Sequence, residues 1–347
     1  MPILTEPQLV GKKQDISDLI YLADVKNVVA LSMFKKGEKI KNMLFDFVCK
    51  SMGTRKKGGV PDGQPVTAVD TSNVKAVLQG RAEVFRRVPG VGFIAQLISQ
   101  AGGVAGVTNE MDDAVGDQMK EIARDMEKEI WSNQDSRPDD GLNGAQFRGL
   151  GRWIYEGTAT LTLDALDLSP TTGFYELPIP VPFRTPSNQI FTGSIATMAE
   201  TDIGTLIQAK YENTGASSEM TGFVTPVIKN RFGAYSRYQA NVTNFTSNVY
   251  VTNGKLKQDG VTLMGPVVDV YQSDWGTFRL VPVLTDFMPT SYTAFFLDMD
   301  QVRIRPLEMN AHFDLPIDGG GPKELLQNIF TVIPGDPRSH CKIAGTA

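Results

Sequence analysis

The spacing of apolar residues changes period several times along the chain, and each change marks an element. Ile16, Leu19, Ile20 and Ala23 fall at helical spacing inside residues 1–38, which otherwise read as an extended arm. "KIKNMLFDFVCKSM" (Lys39–Met52) and "NVKAVLQGRAEVFRRV" (Asn73–Val88) read as strands. In the second, Val74, Ala76, Leu78, Ala82 and Val84 share one face of a period-two ribbon. The Gly/Pro/basic stretch "GTRKKGGVPDGQPVTAVDTS" between them cannot hold regular structure for long. Together they predict a long two-stranded excursion. Such a ribbon is marginally stable alone in water and needs something to lie on.

"GVGFIAQLISQAGG" (Gly90–Gly103) predicts a short helix bounded by glycines. "TNEMDDAVGDQMKEIARDMEKEIWSN" (Thr108–Asn133) predicts one long helix, capped by Thr108 or Asn109, with Glu110, Asp112 and Asp113 favourable in its first turn. Met111, Val115, Met119, Ile122, Met126 and Ile130 form a stripe within roughly 100° of arc, a seam for packing on one side. "DSRPDDGLNG" then breaks the chain. From Phe147 to Asp298 the reading is mixed α/β. "ATLTLDAL" reads as a strand and "ETDIGTLIQAKYE" as a helix with Ile203, Leu206, Ile207 and Tyr211 on one face. "TPVIKNRFGAYSRY" starts a second helix, with Thr225 as cap and Pro226 at the first helical position. "PVVDVYQSDWGTFRLVPV" reads as a hairpin turning at Ser273–Gly276. Two last strands, "DQVRIRPLEM" and "ELLQNIFTVIPG", flank the flexible "PIDGGGP".

Composition narrows the class. A chain of 347 residues, 41% hydrophobic, can bury a sizeable core and is long enough for more than one lobe. Its apolar runs fall far short of the ~20 residues that span a bilayer. The start, "MPILTEPQLVGKKQDISD", has no apolar h-region. Cys49 and Cys341 give neither a disulfide framework nor zinc spacing, which fits synthesis in a reducing cytoplasm and leaves the sequons at Asn241 and Asn244 incidental. The net charge of −5 hides an asymmetry. Lys35–Val88 holds twelve Lys/Arg against five Asp/Glu, a net of +7, while Asn109–Ile130 holds eight acids against three bases, a net of −5.

Candidate chemistry is thin. His340 adjoins Cys341, but neighbours in a strand point to opposite faces, so the pair cannot act together without a turn. "GVGFIA" (Gly90–Ala95) fits G-x-G-x-x-A, with Glu110 about twenty residues on. A second parallel strand should end at that acid, yet Glu110 opens a long helix, so a tight glycine corner is the simpler reading. Asp113, Asp117 and Glu121 form an i, i+4, i+8 carboxylate row without the histidine that di-metal helices add, so a solvated or partner-facing surface is favoured. Arg55, Lys56 and Lys57 could meet phosphate but lack interleaved aromatics for sequence readout. No catalytic, cofactor-binding or metal-binding residue is expected.

The order of the pieces resembles the major capsid proteins of tailed double-stranded DNA bacteriophages, the Hong Kong 97-type fold. The stretches that carry the resemblance are "NVKAVLQGRAEVFRRV" ahead of "DQMKEIARDMEKEIW", then "VYQSDWGTFRLVPV", "FFLDMDQVRIRPL" and "TVIPGDPRSHCKIAG". It implies an α+β fold: an N-terminal arm (1–38), an extended E-loop hairpin (39–90) and a P-domain (91–146) with a spine helix at about 109–132. An α/β A-domain (147–298) and C-terminal strands returning to the P-domain (299–347) complete it. It implies a structural coat protein of the virion, not an enzyme, self-assembling into hexamers and pentamers of an icosahedral shell around double-stranded DNA. Scaffold, portal and cement or decoration proteins would be further partners, contact with packaged DNA would be weak and non-specific, and no membrane or cofactor would take part. An encapsulin-like cellular shell of the same fold and, further off, a nucleotide-binding enzyme using Gly90–Ala95 stand as alternatives.

For the coat reading, the basic ribbon would lie over the acidic helix of another copy. Arg81, Arg86 and Arg87 would face Asp113, Asp117 and Glu121, with Phe45, Phe47, Val84 and Phe85 as apolar anchors. The competing reading of those anchors is packing within their own chain. Charge matching of this kind sets register and docking rate more than affinity.

Overall fold

The computed structural model describes residues 28–52, 58, 62–63, 65, 74–101, 109–215, 219–238, 270–273, 275–317 and 320–347. The helix expected around Ile16–Ala23, the basic tip Arg55–Lys57, Thr108 and the two sequons lie outside the described residues. In chain order come α1 (Val29–Met33), β1 (Lys35–Lys36), β2 (Leu44–Ser51), β3 (Val74–Arg81) and β4 (Glu83–Arg87). They are followed by α2 (Phe93–Gln100), α3 (Glu110–Trp131), α4 (Leu150–Trp153), β5 (Ile190–Phe191), α5 (Glu200–Thr214), β6 (Met220–Val224) and α6 (Pro226–Tyr238). The last strands are β7 (Val270–Ser273), β8 (Gly276–Pro282), β9 (Thr293–Leu297), β10 (Arg303–Leu315), β11 (Lys323–Ile333) and β12 (Cys341–Ala344). The described chain divides into two compact units. The smaller takes Arg86–Ile122 and Asn310–Gln327, and the larger takes Val28–Phe85, Ala123–Met309 and Asn328–Ala347.

The larger unit is built on a six-stranded mixed sheet in the order β5-β12-β9-β6-β8-β7. Every residue of β6 and β9 is buried, as expected of strands covered on both faces. Ile203, Leu206 and Ile207 of α5 and Ile228 and Phe232 of α6 meet Met220, Phe278, Phe296 and Ile343 in one apolar cluster. The hairpin forms as expected, with Ser273 opposite Gly276. Thr225 stands immediately before α6, its carbonyl accepting from Lys229 N at 2.9 Å, and its hydroxyl donates to the Ser291 carbonyl at 2.6 Å. A four-stranded sheet, β1-β10-β11-β4, and the two-stranded ribbon β2-β3 complete the strands.

"ATLTLDAL" is not a strand. Its surroundings are irregular, and buried side chains satisfy the backbone that a sheet would otherwise pair. Arg152 of α4 donates to the carbonyls of Gly173 (2.9 Å) and Pro170, and the Tyr155 hydroxyl donates to Ala159 O (2.5 Å). Arg148, buried with Asp135 at 2.6 Å, donates to Leu177 O. Polar side chains, not apolar alternation, organise this stretch.

The long helix runs almost as expected, and Asn109 caps it, its Oδ1 accepting from the Met111 N–H at 3.2 Å. The stripe is buried at Met111, Ile122, Met126, Ile130 and Trp131. Met119 departs from it at 42% exposed: the apolar seam is covered at both ends of α3 and open in the turns between.

Glu127 is the polar exception in the buried end of α3. Its carboxylate accepts from the N–H groups of Val29 (3.0 Å), Ala30 (2.7 Å) and Leu31 (3.1 Å) and from Trp131 Nε1 (2.9 Å). The first turn of a helix has N–H groups without intrahelical partners, and α1 begins on this carboxylate instead of a cap of its own. Burial pushes the Glu127 pKa up, and these four bonds oppose that rise by favouring the anion. Glu127→Leu should leave the four donors unmet and lose about 3 kcal/mol or more, since each buried unmet donor costs roughly 1–3 kcal/mol. Circular dichroism melting reads the loss, and an unchanged melting temperature would show that α1 is held by other contacts.

Candidate inter-subunit surfaces

The ribbon has two unlike faces, fixed by the pairing of Phe45 with Gly80, Phe47 with Leu78 and Cys49 with Ala76. That set faces the larger unit's own body. Phe45 (7% exposed) packs with Ile40, Ala82 and Ile333, and Phe47 and Cys49 pack with Leu78, Trp153, Ile179 and Phe183. Gly80 is required there, because a Cβ would lie 2.6 Å from Cζ of Phe45. On the opposite face Leu44, Val48 and Val77 are exposed, Val48 at 65%. Lys50 stands directly opposite Lys75, both exposed and neither paired with an acid among the described residues. Like charges across a strand pair are unfavourable unless something neutralises them.

The expected contact residues therefore divide differently. Phe45 and Phe85 are buried in their own chain, Phe85 against Phe147 and Phe330, and Phe47 packs at a tilt against Trp153 with centroids 5.7 Å apart. Val84 is half-buried. The strand does not continue past Ala82: Val84, Phe85, Arg86 and Arg87 belong to β4, an edge of the four-stranded sheet. The arginines also find partners at home. Arg81 pairs with Glu176 at 3.2 Å, Arg86 donates to Gln327 at 2.7 Å and Arg87 pairs with Glu121 at 3.1 Å. Asp117 pairs with Lys120 at 2.8 Å, while Asp113 is exposed.

The smaller unit carries the feature that the sequence reading missed. The N–H groups opening α3 need acceptors, and α2 supplies them: Gln96 Oε1 accepts from Met111 N (3.2 Å) and Ser99 Oγ from Glu110 N (3.4 Å). Gln96 also donates to Asn109 Oδ1 at 2.5 Å. The helix thus docks by its polar side, with Ser99 1% exposed, and its apolar side faces out: Phe93 62%, Ile94 72%, Leu97 49%, Ile98 49%. Among its described residues this unit leaves eight large apolar side chains exposed, adding Val88, Met119, Phe313 and Ile317, and buries only Met111, Ile122 and Leu326. That is the reverse of a self-sufficient core. The 93, 94, 97, 98 spacing was legible as an apolar helix face; which way it points was not.

Catalytic alternatives find no support in the geometry. The N-terminus of α2, where a phosphate would sit, is occupied by backbone: Phe93 N donates to Gly320 O (2.8 Å) and Val91 N to Pro322 O (3.2 Å). His340 is buried with its Nε2 on Pro334 O (2.7 Å) and its Nδ1 accepting from Asp298 N (3.1 Å), and burial holds its pKa down, which fixes it neutral. Cys341 contacts Leu206 O instead, and burial pushes its pKa up to about 12, so no thiolate forms beside the imidazole. Among the described residues no group of three or more His, Cys, Asp or Glu could hold a metal ion, and no helix is long and apolar enough to cross a membrane.

Comparison with known proteins matches this geometry to shells. A family model described as SU10 major capsid protein matches residues 4–347. The mixed α+β fold is similar to the capsid asymmetric unit of cyanophage A-1(L), at 14% identity and a TM-score of 0.60, covering 98% of this chain and 97% of that one. It is also similar to the capsid structure of cyanophage P-SCSP1u (9% identity, TM-score 0.59, 96% and 93% covered) and to a chain of Mycobacterium phage Bobi (10%, 0.54, 100% and 100%). No curated protein matches the chain.

The tight fit of Phe45 over Gly80 makes the ribbon's inner face a measurable element of the fold. Gly80→Val should displace the ring and lower stability by roughly 1–3 kcal/mol, the usual range for overpacking. A urea midpoint equal to that of the parent chain would show that the ring is not confined.

Proposed function

The chain belongs to the SU10 major capsid protein family, a structural coat subunit of the phage virion and not an enzyme, and from that premise we propose how its copies meet. The subunits form hexamers and pentamers of an icosahedral shell around double-stranded DNA. The ribbon acts as the E-loop, α3 as the spine helix of the P-domain, and the six-stranded sheet as the core of the A-domain. The outward ribbon face of one copy, Leu44, Val48 and Val77 with Lys50 and Lys75, lies on the apolar side of α2 and the acidic start of α3 in another.

The observation that carries this reading is the smaller unit's excess of exposed over buried apolar side chains. Covering them would release on the order of 25 cal/mol per Å² of apolar area. Charge agrees: the unpaired Lys50–Lys75 step would meet Asp112 and Asp113, both exposed near the first turn of α3. Arg81, Arg86, Arg87, Asp117 and Glu121 then act within their own chain, leaving Asp113 from the acidic row for the partner. Contact with packaged DNA is weak and sequence-independent, and scaffold, portal or cement proteins bind elsewhere on the shell.

Val48→Asp and Leu97→Asp test the contact from its two sides. Each residue is exposed, so the melting temperature should stay near that of the parent. Particle yield by negative-stain microscopy should fall at least about tenfold, the effect of roughly 1.4 kcal/mol per contact. Normal particle numbers from both variants would sink the proposed contact.

A further inference from the structure

A lysine stands inside the larger unit's sheet with no acid beside it. β12 turns Cys341 and Ile343 toward the apolar cluster that includes α5, so Lys342 between them projects from the opposite face. There it is 2% exposed. Lys342 Nζ donates to Asn133 Oδ1 at 3.0 Å and to Gly151 O at 2.9 Å, both neutral acceptors. Among the described residues no carboxylate pairs with it, and the charged group that faces it is another cation, Arg152 of α4. Arg152 is buried as well. Its Nε donates to Asn133 O at 3.1 Å and its other nitrogens to Gly173 O and Pro170 O.

The buried acids of the neighbouring elements are engaged elsewhere. Asp135 pairs with Arg148 at 2.6 Å, and Glu127, on the end of α3 whose Trp131 stacks on Phe295, accepts from α1. β9 sets the Phe295 ring 5.6 Å from Nζ, and β5 places Ile190 in register with Lys342. A neutral amine has two N–H groups, and here there are two acceptors. An ammonium would add a third N–H without an acceptor and a charge without a counterion, next to a second buried cation. The ring face attracts a cation, but one ring does not replace the water stripped from an ammonium.

We propose that Lys342 is seated as an uncharged amine and that taking up a proton there unseats β12, which makes this strand an acid-sensitive catch in the sheet. Burial, then the charge of Arg152, lowers the Lys342 pKa from the ordinary 10.5 to about 7. With the strand open, the amine returns to water and holds its proton up to the ordinary value. Between those two values the open form binds one proton more than the closed form, so closing is favoured as pH rises. The opening constant should fall by up to about tenfold per pH unit across that window, and level off below about 7. The catch lies within one chain, so it is independent of the proposed contact between copies.

Lysine-selective carbon-13 NMR of the unassembled full-length chain reads the charge directly. At pH ~8.5, where exposed lysines are charged, one Cε resonance should have the free-amine shift and be absent from Lys342→Met. Urea unfolding reads the catch. From pH ~7 to pH ~9 the parent's unfolding constant, divided by that of Lys342→Met, should fall at least about tenfold, other titrating groups being common to both. Should Lys342→Met not fold, Asn133→Asp takes its place, because a carboxylate beside the amine keeps it charged at both values. A parent spectrum with every lysine charged, a free-amine resonance that the variant retains, or a ratio equal at the two pH values would overturn the proposal.

Discussion

The start of a long helix carries N–H groups that its own backbone cannot satisfy, and much of this subunit's surface chemistry follows from how that need is met. In α3 the acceptors are Asn109, Gln96 and Ser99. Two of them sit on α2, so the short helix must turn its polar side inward. Phe93, Ile94, Leu97 and Ile98 are left outside as a consequence of hydrogen bonding, not as an oversight of packing. A unit assembled this way is stable enough to have a shape and incomplete enough to require company. The same demand appears at α1, whose first N–H groups rest on Glu127.

The ribbon solves the complementary problem. Two strands alone bury too little, so one face is fastened to the body through Phe45, Phe47, Leu78 and Gly80. The other keeps Val48, Val77 and two facing lysines in water. The arginines expected to meet acids of another copy each have a partner within their own chain, while the two facing lysines stay exposed. Long-range charge asymmetry in the sequence marked a basic ribbon and an acidic helix. It could not say which bases were already engaged.

Several elements were legible because one local rule dominated them. Asn109 and three early acids placed the start of α3, and the alternation through Ala76 and Leu78 set the inner face of the ribbon. The Ser273–Gly276 turn followed from strand spacing alone. Where tertiary partners overrode local pattern, the reading failed. "ATLTLDAL" alternates like a strand, yet Arg152 and Tyr155 claim the neighbouring backbone. Asn73–Val88 scans as one strand, yet Ala82 bonds back to Met43 and Glu83 turns into a different sheet. Met119 has the right spacing for the seam, but burial depends on what stands opposite, and spacing carries no information about that.

Strand β12 lies inside its sheet, parallel to β5 and antiparallel to β9. His340 precedes it and Lys342 lies within it, both buried, and Lys342 Nζ donates to Asn133 Oδ1 (3.0 Å) and Gly151 O (2.9 Å). A ribosome must therefore deliver residues 341–344 before β5 and β9 acquire the strand between them. Products terminated upstream would leave β9 with an unpaired edge and β5 without its neighbour, because β12 is the strand between them. Completion of this edge of the sheet therefore waits until the chain has been translated through residue 344.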